Sequence, residues 1–145
     1  MRDFRHSLPM ELLKAREAAM SRFRPMLRDH GLTEQQWRVL RALSEETDID
    51  ASKLAEKSFL LAPSLTRILQ HLETESLISR ERSTNDSRRA VVALTAKGRR
   101  LFKKMAPQSE ALYSVIEKEF GKEKIEQLYD LLADFYQTLE SKDPS

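Results

Sequence analysis

Cysteine is absent from this 145-residue chain, which excludes disulfides, thiolate nucleophiles and cysteine-based redox sensing. Glycine occurs only three times, too widely spaced to build a phosphate-cradling loop. The three histidines, His6, His30 and His71, match no metal-ligand spacing. No apolar run approaches the ~20 residues needed to span a bilayer, and the start has no signal-peptide core. The expectation is a cytoplasmic protein with no membrane partner. Paired acids such as Glu45 and Glu46 fall at a helix end, where solvation is their ordinary state. Nothing here calls for a cofactor or points to an enzyme. Length indicates one domain, and a hydrophobic share of 40 % beside a charged share of 33 % suits a helix-rich globule.

Net charge is only +2, but it is unevenly spread. Residues 78–104 hold nine Lys or Arg against two acids, whereas residues 110–143 hold nine acids against four lysines. A basic block beside an acidic tail fits a protein that meets phosphate with one end. The bland alternative, a solvated charged surface, loses ground because of what stands beside the block. Leu65, Ile68, Leu69 and Leu72 recur at helical spacing, and the opposite face carries Ser64, Thr66, Arg67, Gln70 and His71, all able to reach a base edge or phosphate. For His71 an ordinary exposed polar residue is an equally good reading. After Ser76 the period shortens to about two. Ile78, Arg80 and Arg82 alternate with polar neighbours, and residues 90–95 are small or β-branched. Between these strands, turn formers at 84–87 precede Arg88 and Arg89. A polar-faced helix followed by a basic β-hairpin is a winged helix-turn-helix, with a helix for the major groove and an arginine finger for the minor groove. An ordinary charged turn is the competing reading for Arg88 and Arg89.

The remaining segments frame that core. Leu8 to Asp29 reads as a helix with Leu8, Leu12, Ala15, Ala19, Phe23, Met26 and Leu27 on its apolar side, stopped by Gly31. Thr33 and Gln36 form a capping-box pattern, and Leu32 and Trp37 a hydrophobic staple, for a helix at 34–45. Asp50 caps a short helix over 51–58, and 62–75 is the second half of the helix-turn-helix. Thr95 caps a helix from 96 to about 119, with Pro107 predicting a kink near 103–107 rather than two domains. After Gly121, a last helix carries Ile125, Leu128, Tyr129, Leu132, Phe135, Tyr136 and Leu139 as one stripe. That stripe packs on the chain's own long helix, or on the first helix and a second copy of the protein; the small core favours the second.

Three stretches carry a resemblance to a known family: LTEQQWRVLRAL at 32–43, LAPSLTRILQHLE at 61–73, and Asp86-x-Arg88-Arg89 followed by Val-x-x-Leu-Thr-x-x-Gly at 91–98. From Leu32 to Gly98 the chain resembles the MarR (multiple antibiotic resistance regulator) family, and within it repressors of aromatic-acid degradation operons. It departs at Ser76, where the family often has a helix-ending Gly, a better left-handed cap than Ser. The resemblance implies an all-α fold with a small β-hairpin wing, a winged helix-turn-helix core at 33–98 and long dimerisation helices at 1–30 and 99–145. It implies a homodimer on a double-stranded, inverted-repeat operator, with Asp86 pairing wing arginines to shape the tip. It also implies a small aromatic acid or phenol, such as 4-hydroxyphenylacetate, bound between the first two helices and the dimerisation helices. The candidate lining is Arg16, Met20, Phe23, Met26, Trp37, Arg38 and Arg41: arginine for a carboxylate, Trp and Met for the ring. Bland readings stay open, with Trp37 as core and Arg38 and Arg41 as a solvated face. The functions in contention are a ligand-released repressor, a DNA binder without a ligand, and a winged-helix protein-interaction module.

Overall fold

Local sequence signals set most element boundaries. In the computed structural model, which describes residues 1–82 and 89–141, a 3-10 turn (Phe4–His6) leads into helix α1 (Leu8–Asp29). Pro9 sits in its first turn, where a missing N–H breaks no helical bond. Gly31 then takes φ +69°, a left-handed conformation that stops the helix. The expected capping box closes at the next start. The Gln36 N–H donates to Thr33 Oγ1 at 3.1 Å and the Thr33 N–H to Gln36 Oε1 at 3.0 Å, opening α2 (Glu34–Glu45). The staple residues Leu32 and Trp37 are both buried. Asp50 caps α3 (Ala51–Ser58), accepting from the Ser52 N–H at 2.7 Å, and α4 (Ala62–Thr74) follows after a short turn.

The hairpin is β2 (Ile78–Arg82) paired antiparallel with β3 (Ala90–Leu94), in register from Ile78 opposite Leu94 to Arg82 opposite Ala90. A third strand, β1 (Ile49–Asp50), adds to the other edge of β3 and gives the order β1-β3-β2. Two residues carry no alternation, so periodicity does not reveal it. Asp86 and Arg88 lie outside the described residues.

The chain divides into two compact units, Met1–Gln108 and Ser109–Ser145. Helix α5 (Ala96–Phe120) runs through Pro107 as one element, and the unit boundary falls just beyond that proline. In the first unit, Leu27, Val39, Leu40, Leu54, Leu72, Val92 and Met105 are fully buried. Each such side chain contributes about 1.5–3 kcal/mol of hydrophobic stabilisation, so α1 to α4, the sheet and the start of α5 share one core. The first half of α1 does not: Leu8 and Leu12 are exposed, as are Ala15 and Ala19. In the second unit, α6 (Lys122–Glu140) buries no residue, and Leu128, Leu132, Phe135, Tyr136 and Leu139 remain exposed along one side. No helix among the described residues is long and apolar enough to cross a membrane.

Candidate nucleic-acid interface and effector region

Helix α4 is built to show one face. Leu65, Leu69 and Leu72 are buried, while Thr66, Arg67, Gln70 and His71 are exposed and Ser64 is half-buried. All five sequence-predicted readers therefore stand outside the core. They are not equally available, because the Thr66 hydroxyl donates back to the Ala62 carbonyl at 3.0 Å. Ser64, Arg67 and His71 line one groove with Gln35 and Gln36 of α2 and Leu60 of the α3–α4 turn. Gln35 and Leu60 were not singled out from sequence. The signal for Gln35 was its helical phase, which places it away from the apolar side of α2 marked by Trp37, Leu40 and Leu43. At the same turn Phe59 takes φ +54° and is 75 % exposed, with Leu61 beside it 78 % exposed.

Of the two wing arginines, Arg89 is described and is tied down. Its Nε donates to Asp50 Oδ2 at 2.7 Å. Asp50 also caps α3, so one carboxylate joins the wing base to the helix-turn-helix. The Arg89 guanidinium, and then the Ser52 N–H, hold the Asp50 carboxyl below the usual aspartate range. Partnership across 39 residues leaves no local trace, which is why Asp50 was read only as a cap. Behind the hairpin, the Val-x-x-Leu-Thr-x-x-Gly pattern acquires a physical meaning. Val92, one residue beyond its first valine, and Leu94 are core. Thr95 accepts from the Gly98 N–H at 3.0 Å and donates to the Ser76 carbonyl at 2.6 Å. A Cβ on Gly98 would overlap the Leu77 carbonyl oxygen and lie 3.2 Å from a Leu94 methyl. Only glycine lets α5 approach the end of α4 this closely.

The effector candidates separate into two groups. Phe23, Met26 and Trp37 are buried, and Trp37 stacks on Phe102 with ring centroids 5.4 Å apart, whereas Met20 is half-buried. Arg16 and Arg38 converge on a residue the sequence reading passed over, Glu34, whose side chain is 15 % exposed. Arg16 pairs with its carboxylate, Arg38 Nη2 lies 3.1 Å from Oε1, and Arg24 Nη2 lies 3.6 Å from Oε2. Arg24 also donates to Glu17 at 2.9 Å, which lowers the Glu17 pKa below its ordinary range. The far end of Arg38 donates to the Ser58 carbonyl at 3.1 Å, at the close of α3. Arg41 is exposed. The i, i+4 spacing of Glu34 and Arg38 was the available signal for this network.

Comparison with known proteins agrees with this construction. A family model described as MarR family matches residues 32–90. The homoprotocatechuate degradative operon repressor of Escherichia coli is 45 % identical over 129 residues, covering 89 % of this chain and 87 % of that protein. The transcriptional regulator FarR of Neisseria gonorrhoeae is 41 % identical over 128 residues, covering 88 % of each. Among solved structures, NadR in complex with 4-hydroxyphenylacetate superposes with a TM-score of 0.83 at 37 % identity, covering 93 % of this chain and 98 % of that one. The chain belongs to the MarR family of transcriptional regulators.

Proposed function

We propose that this chain is a homodimeric repressor that holds an inverted-repeat operator and releases it on binding a small aromatic carboxylate. The observation that carries the DNA half is the α4 face, where Arg67, Gln70 and His71 are exposed beside a wing anchored at Asp50 by Arg89. In the major groove, Arg67 and Gln70 have the chemistry to read guanine and adenine edges, and Ser64 and Gln35 to hold phosphate. With Arg89 engaged at Asp50, Arg88 is the wing arginine assigned to the minor groove, where A·T-rich sequence deepens the negative potential. The uncovered faces of α1 and α6 supply the dimer surface, and a twofold axis demands a palindromic site.

The effector half rests on similarity to a repressor of an aromatic degradation operon and to NadR with 4-hydroxyphenylacetate. An incoming carboxylate competes with Glu34 for Arg16 and Arg38. Because Arg38 also holds the Ser58 carbonyl, its displacement is felt at the turn that aims α4. A 100-fold release of DNA requires about 2.7 kcal/mol of preference for the released state. The test is fluorescence anisotropy on an inverted-repeat promoter fragment, with and without 4-hydroxyphenylacetate. Arg88→Ala should weaken binding severely with helical content intact, and the acid should weaken wild-type binding. Wing variants that bind like wild type defeat the DNA reading; an acid without effect defeats only the effector half.

A further inference from the structure

A second place on the first unit is built for an anion, away from Glu34 and its arginines. Between the end of α2, the end of β3 and the first turns of α5 lies an open cavity of about 470 Å³. Its floor is apolar, made by Leu43, Leu94 and Phe102. The Phe102 ring is steadied from one side by its stack on Trp37. Its rim is cationic: Arg99, Arg100 and Lys103 all come from one stretch of α5, and no acid is among the lining residues. Arg99 is pinned by donating to the Leu94 carbonyl at 3.0 Å. Arg100 and Lys103 have no hydrogen-bond or ion-pair partner among the described residues. The positive end of the α5 dipole points the same way.

Three like charges on one edge repel, and the arrangement is relieved by an anion. A hydrated inorganic ion would gain nothing from the apolar floor. A molecule with a carboxylate at one end and a ring at the other uses both parts, and the volume lies within the range of small-molecule sites. We propose that this cavity binds a small aryl carboxylate, with Arg100 and Lys103 on the carboxylate and Phe102 and Leu43 against the ring. Neither Arg16 nor Arg38 lines it, so it is a site apart from the effector region described above. It does not depend on the chain's being released from DNA.

The experiment is calorimetry of the full chain with 3-phenylpropionate, in the wild type and in variants of each region. Arg100→Gln with Lys103→Gln should weaken binding about tenfold or more, while Arg16→Gln leaves this binding event unchanged. Thr47→Trp, which fills the cavity from its exposed edge, should abolish the event, and 3-phenylpropionamide should not bind. The proposal is overturned by any of four results: no saturable binding to the wild type, equal binding of the amide, unchanged affinity in the double variant, or loss confined to Arg16→Gln. If the double variant loses operator affinity while keeping the acid, the cations serve DNA phosphate instead, which also overturns it.

Discussion

Ser76 holds φ +62° at the end of α4, a conformation that costs an L-residue about 1–2 kcal/mol and glycine almost nothing. The Leu77 N–H donates to the Leu72 carbonyl at 2.9 Å and the Ser76 N–H to Glu73 at 2.9 Å, so the helix ends as a glycine would end it, with a serine in place. Glycine's extra unfolded-state entropy offsets about half of the strain relieved. Ser76→Gly should therefore stabilise the protein by about 0.5–1 kcal/mol, seen as a raised midpoint in urea; a lowered midpoint would show that the Ser76 side chain matters more than its backbone. Asp50 offers a pH test. Its folded-state pKa is depressed by Arg89, so its stabilising effect is full above the ordinary aspartate range and is lost as pH falls through the folded value. Asparagine caps helices as well as aspartate, so Asp50→Asn removes the charge pairing and keeps the cap. The variant should be less stable than wild type at about pH 7, and the gap should close only as pH falls through the depressed folded-state pKa of Asp50, below the ordinary aspartate range. A gap independent of pH would mean that Arg89 contributes nothing through charge.

Among the elements, α4, β2 and α5 meet in a close joint. Thr95 bonds to Ser76, Lys97 reaches the Glu75 carbonyl at 2.8 Å, and Gly98 lies against the Leu77 backbone. Gly98→Ala forces a backbone shift and should cost about 1–3 kcal/mol or more, although alanine is the better helix former by propensity. Circular dichroism melting would show it, and a melt equal to wild type would disprove the close approach. The same joint shows what a sequence reveals. Thr33 with Gln36, Asp50 and Thr95 were legible as caps because their partners lie within three residues. The exposed polar face of α4 was legible because a period of 3.6 sorts the helix by itself. The β1 strand, the Asp50–Arg89 link and the gathering of Arg16, Arg24 and Arg38 on Glu34 were not, since each depends on which distant backbones meet. Trp37 stayed ambiguous for another reason: an aromatic ring on an apolar face serves a core or a ligand equally well, and its stack on Phe102 is compatible with both.

At the scale of the whole molecule, α6 leaves a row of large apolar side chains exposed, the kind of patch that marks an interaction surface. Leu128 and Leu132 on α6 remain about 41 % exposed, with Phe135, Tyr136 and Leu139 beside them. Leu128→Asp with Leu132→Asp should place unpaired charge in the dimer interface and convert the protein to a monomer or unfold it, as sedimentation would show. A wild-type chain already monomeric at micromolar concentration would refute the proposed dimer. Operator affinity should also fall steeply with salt as the basic stretch 78–104 displaces counterions. The open face on α6 has a consequence for the cell as well. Where protomers must pair before they can grip a palindrome, operator occupancy below the pairing threshold rises with the square of the amount of protein made. Halving synthesis then lowers occupancy about fourfold rather than twofold. Gene dosage becomes a control on repression in its own right, acting before any effector molecule enters.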